Sequence, residues 1–138
     1  MLKINQCNPL IFLLLASQIL CAQQMPIDFS NSNEQFSSFS GSGFSFNIDP
    51  DDTKNDVGQF YNDGSNVWQG FSLDLIRSVD LDSKKTISLS FYGFDPNTHT
   101  VVLKLEKGGN ADLEVTQTIP SGGGWTHDVT FDFANAKL

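Results

Sequence analysis

The 138-residue chain has little of what most protein chemistry needs. Its two cysteines, Cys7 and Cys21, both fall in the first 22 residues, so the remainder has no disulfide and no thiol nucleophile. The two histidines, His99 and His127, lack zinc-ligand spacing. No Gly-x-Ser-x-Gly elbow occurs, which removes one class of serine hydrolase. No Asn-x-Ser/Thr acceptor for N-glycosylation is present. Only three glutamates occur, Glu34, Glu106 and Glu114. Glycoside hydrolysis needs two opposed carboxylates at set separations, and Glu106 and Glu114 fall on opposite sides of one expected hairpin. The chain is therefore expected not to be an enzyme by itself.

Long apolar runs are also missing. The longest, Leu10–Ala16 continuing through Ile19 and Leu20, is short of the roughly twenty residues a membrane-spanning helix needs. It follows Lys3 and precedes Cys21-Ala22-Gln23, which is the layout of a secretory signal peptide over residues 1–22. The expectation is a secreted or cell-surface protein, free of the membrane after cleavage, with one domain over residues 23–138. Basic residues are few, 8 against 16 acidic ones. A negative surface repels nucleic-acid phosphates and anionic membranes and suits a neutral polymer, a cationic partner or a divalent cation.

What the chain does have is phenylalanine, twelve in all, in strands that alternate apolar and polar residues. Ile87, Leu89 and Phe91 oppose Ser88, Ser90 and Tyr92. Val101, Leu103 and Leu105 alternate with Val102, Lys104 and Glu106. Leu113, Val115 and Ile119 alternate with Glu114, Thr116 and Thr118. Trp125, His127, Val129, Phe131 and Phe133 are assigned to one face of the last strand. Earlier strands are expected at Ile27–Phe29, Phe44–Ile48, Val57–Tyr61 and Trp68–Leu75, with Phe36 and Phe39 anchoring a Ser-rich loop. Eight short strands with Gly-, Asn- and Asp-rich turns predict an all-β fold, an antiparallel β-sandwich of jelly-roll type. A strong strand so close to Leu138 suggests a fragment whose closing strand is missing, because terminal strands cover sheet edges.

Four stretches carry a resemblance: Val57–Leu75 with its Trp68-Gln69-Gly70 turn, Lys84–Tyr92, Thr100–Glu106 with Leu103-Lys104-Leu105-Glu106, and Gly124–Phe133 with Phe131-Asp132-Phe133. Their order resembles the jelly-roll, galactose-binding-like carbohydrate-binding modules of secreted bacterial polysaccharide-degrading proteins. Such modules accompany family 16 glycoside hydrolases, including laminarinases. The resemblance covers about residues 26–138. It implies non-catalytic binding of a polysaccharide, a β-glucan by the analogy, and a covalently linked downstream catalytic domain. The Glu-x-Asp-x-x-Glu strand of family 16 catalytic domains is absent. A structural or adhesive spacer, or the N-terminal part of a longer glycoside hydrolase, are the competing expectations.

A sugar ring offers a C–H face and a rim of hydroxyls, so its site needs a flat aromatic surface and polar groups beside it. Tyr92, opposite the apolar face of its strand, is the first candidate. Trp68 and Trp125 follow. The position of Trp125 on the face of Val129 and Phe131 favours a core role, and its start after a glycine loop favours an open edge. Asn66, Gln69 and Arg77 are the polar candidates. Asp49–Asp56 is acidic but does not match an EF-hand, since Lys54 stands where that loop needs glycine. The resemblance implies a structural calcium ion (Ca2+) at the sandwich edge, to which Asp28 would contribute.

Overall fold

Two-residue alternation produces the strands of the chain. The computed structural model describes residues 27–30, 36–75, 78–108 and 112–136. The expected signal peptide over residues 1–22 and the candidate Arg77 lie outside the described residues. Among them the chain is all-β and antiparallel, with no helix. Eight strands are formed: β1 Phe36–Phe39, β2 Gly43–Ile48, β3 Asp56–Tyr61, β4 Gly70–Leu73, β5 Thr86–Gly93, β6 His99–Leu105, β7 Leu113–Ile119 and β8 Gly124–Asp132. They pair as four ribbons, β1–β4, β2–β3, β5–β8 and β6–β7. The chain divides into two compact units, one running to Arg77 and one from Ser78.

In the first unit, register decides which rings meet. Phe44 pairs with Phe60 and Phe46 with Gly58, so these side chains share a face of the β2–β3 ribbon. Phe36 pairs with Leu73 and Ser38 with Phe71, which sets Phe36, Phe71 and Leu73 on one face of β1–β4. The two faces meet through rings. Phe36 stacks on Phe44 at 4.3 Å between centroids, and Phe71 lies 4.8 Å from Phe44 and 5.5 Å from Phe60. Such offset and tilted pairs add about 0.5–1.5 kcal/mol each beyond the area they bury. Ser40 and Gly41 both take positive φ, 59° and 83°, the pattern of a type I′ turn. Ser42 N closes the turn on Phe39 O at 3.3 Å, and the chain passes from one ribbon to the other. The Ser42 hydroxyl is shared between the carbonyls of Phe39 and Gly70.

Two sequence expectations change here. Ile27–Phe29 is not a strand. Phe29 sits at φ 59°, a left-handed conformation rare for a bulky side chain, and its ring closes against Phe36 at 5.6 Å. Phe36 and Phe39, expected in a loop, instead form the ends of β1, because the segment pairs residue by residue with β4 from Phe36–Leu73 to Phe39–Gly70. Gly58 makes room for this packing. A Cβ there would lie 2.6 Å from Phe29 and 2.7 Å from Phe44.

The second unit holds the most deeply buried apolar side chains, Phe131, Phe133 and Ile119. Phe131 pairs with Ile87 on β5 and is fully buried, at 0% exposure, with the Phe91 ring at 6.5 Å. Phe133 N donates to Lys85 O at 2.8 Å and prolongs the β5–β8 ladder by one bond. In β6–β7, Leu103 pairs with Val115, Leu105 with Leu113 and Val101 with Gln117, so the expected apolar face is present with Gln117 included in it. Gln117 accounts for its amide by donating to Thr130 O at 2.6 Å, tying β7 to β8. On the opposite face Lys104 sits within 2.8 Å of Glu106 and Asp112, which raise its pKa, and 3.9 Å from Glu114.

Candidate functional site

The site residues are positioned by one irregularity in the β5–β8 ladder. Thr86 to Leu89 pair with Asp132 to Val129 in strict order, but Phe91 pairs with Thr126. His127 and Asp128 therefore both stand opposite Ser90, which is a β-bulge. Asp128 takes φ 55°, a conformation that aspartate tolerates better than most residues. Its backbone N–H points to Ser90 Oγ at 3.4 Å, and its carbonyl accepts from Thr130 Oγ1 at 3.1 Å.

The extra residue reverses the parity of everything before it. Val129 and Phe131 remain on the face of Ile87, Leu89 and Phe91. Trp125 pairs with Tyr92 and moves to the other face. The expectation that Trp125 shares a side with Val129 and Phe131 is thus corrected, and His127 moves with it. Four aromatic groups now meet. The Tyr92 and Trp125 rings are 5.5 Å apart, edge to face, at 79°. Phe94 lies 5.0 Å from Tyr92, and His127 stacks on Trp125 at 5.5 Å with the planes only 12° apart. Tyr92 and Trp125 are half-buried, His127 is exposed, and Phe94 is 72% exposed.

The same face continues as a polar strip. Ser88 and Thr130 face each other with hydroxyls 3.1 Å apart, and the Thr86–Asp132 pair follows. From Tyr92 to Thr86 the strip runs about 20 Å at the usual strand rise. A flat aromatic end and a row of hydroxyls thus lie on one outward face, while the opposite face carries the core. Phe94 and His127 were not among the sequence candidates. The signal for them was Asp128, a poor strand residue in mid-strand that tolerates positive φ.

Asn66, Trp68 and Gln69 occupy the loop between β3 and β4, in the first unit. The expected strand from Trp68 begins only at Gly70, which leaves Trp68 in the loop at 71% exposure. Gln69 is committed to the loop itself. Its Nε2 donates to Ser40 O at 2.9 Å and Asp63 Oδ1 at 2.7 Å, and its Oε1 accepts from Gly64 N at 3.1 Å. Hydrogen bonds from the Ser65 hydroxyl, the Ser65 amide at 2.9 Å and Gln69 hold the Asp63 pKa down to about 2. Asn66 is exposed between these clamped residues.

Asp28 is exposed, and Ser30 occupies its Oδ1 through Oγ at 2.7 Å and N at 3.1 Å, which lowers its pKa. Among the described residues no three His, Cys, Asp or Glu side chains converge. In the acidic run, Asp49 is buried and turned inward on its own hairpin loop, accepting from Asp51 N and Asn55 Nδ2, each at 2.9 Å. His99 pairs with Asp95 at 3.1 Å. Comparison with protein-family models, with curated proteins and with solved structures finds no match.

Proposed function

We propose that the chain is a secreted, non-catalytic carbohydrate-binding module of jelly-roll type, and that the outward face of β5–β8 holds the polysaccharide. The observation that carries this reading is the meeting of Tyr92, Trp125, His127 and Phe94 on the face opposite the core, beside the hydroxyls of Ser88 and Thr130. The C–H face of a pyranose stacks on an aromatic ring, and its hydroxyls exchange hydrogen bonds with serine, threonine and histidine. A net charge of −8 favours a neutral polymer over a polyanion. Resemblance adds a β-glucan as ligand and a polysaccharide-degrading domain as the covalent partner, which the module would hold at its substrate by raising local concentration.

Calorimetry and affinity electrophoresis against laminarin, mixed-linkage glucan, xylan and agarose test the reading, with and without calcium. Binding to at least one neutral polymer is expected. Trp125→Ala and Tyr92→Ala should each weaken it about tenfold, equivalent to about 1.4 kcal/mol. Binding to none of the four, with or without calcium, would make the reading wrong.

A further inference from the structure

The loop over residues 62–69 has a property that the β5–β8 strip does not use. Val67 and Trp68 are 89% and 71% exposed, yet the backbone around them is tightly tied. Asn62 Oδ1 accepts from Gly64 N at 2.6 Å, Asp63 Oδ1 from Ser65 N at 2.9 Å, and the Gln69 amide spans Ser40, Asp63 and Gly64. Disorder would explain a bare tryptophan on a slack loop. Here the ring is presented from a fixed support, so little conformational freedom is left to lose on binding.

What the ring would hold follows from size and charge. Within the loop itself the exposed apolar groups are one indole and one isopropyl, far less than the roughly 800 Å² that each side of a stable protein–protein interface buries. The acidic chain disfavours phosphate polymers and anionic membranes. A flat ring two residues along the loop from the exposed Asn66 amide suits a neutral pyranose, which stacks on one ring and takes amide contacts at its edge.

We propose that Trp68 is a saccharide contact in its own right, built on the first unit and separate from the Tyr92–Trp125 strip. This rests on the reading that the chain binds polysaccharide.

The chain has one tryptophan per unit, which makes the test direct. In a Trp125→Phe variant, fluorescence reports Trp68 alone, and in Trp68→Phe it reports Trp125 alone. Titration with laminarin and with a β-glucan hexaose is expected to blue-shift the emission of both. Trp68→Ala should reduce the hexaose stoichiometry from two sites to one and leave thermal unfolding near that of the parent. A response from Trp125 with none from Trp68 would overturn the second contact and leave the strip intact. A response from Trp68 alone would uphold the loop contact and remove the strip. If neither responds and no polymer binds, the reading on which the proposal rests has failed.

Discussion

Asp63 shows how a single carboxylate can hold a loop in shape. Its ordinary pKa of 3.8 falls to about 2 because Ser65 and Gln69 donate to the charged form. A folded-state pKa below the unfolded value means that the stabilisation is complete above pH 3.8 and disappears as the pH falls toward 2. The carboxyl carbon resonance of Asp63 should therefore titrate with a midpoint near 2, and amide exchange at Gly64 and Ser65 should accelerate over the same range. A midpoint at the ordinary value would mean that these hydrogen bonds do not form in solution. Asp63→Ala should show the fast exchange at neutral pH. Gly58 is the other residue on which local structure turns, since any Cβ would enter the space held by Phe29 and Phe44. Gly58→Ala should destabilise the first unit by about 1–3 kcal/mol through overpacking, read as a lower urea midpoint.

At the scale of the element, β8 is governed by Asp128. A glycine there adopts φ 55° freely, whereas a β-branched residue is strained. Asp128→Gly should keep both fold and binding, and Asp128→Val should cost about 1–3 kcal/mol of stability, measured by chemical denaturation. Equal stability of the two would show that the bulge is not the conformation in solution. The same residue marks how far sequence reading reached. Seven of the eight strands lie where alternation placed them, because a ribbon with one apolar face leaves a two-residue period that needs no tertiary information. The period also put Tyr92 on the outward side of β5. It misplaced Trp125, because one inserted residue inverts every position on its far side and leaves composition unchanged. β1 was missed for a different reason. Its Phe-Ser-Ser-Phe is too short to show a period, and only the β4 ladder stabilises it as a strand. Gln69 looked like a sugar ligand as a residue type, but its bonds to Ser40 and Asp63 depend on how β1 and β4 turn, which no local pattern reveals.

Across the whole molecule, burial is uneven. Phe131, Phe133 and Ile119 are closed off in the second unit, while Phe39, Phe60 and Phe71 of the first are more than a third exposed. A fully buried phenylalanine truncated to alanine costs about 3–5 kcal/mol. In a Trp68→Phe background, Phe131→Ala should therefore shift the urea transition reported by Trp125 to markedly lower concentration, and an unchanged midpoint would place Phe131 outside the core.

The half-turn of parity at Asp128 has a practical reading. On one side of it Val129 and Phe131 turn toward the interior, and on the other Trp125 and His127 turn outward while Thr126 keeps its place opposite Phe91. In a saccharide-binding chain of the kind proposed, positions 125 and 127 are therefore the natural ones to randomise when a new specificity is sought.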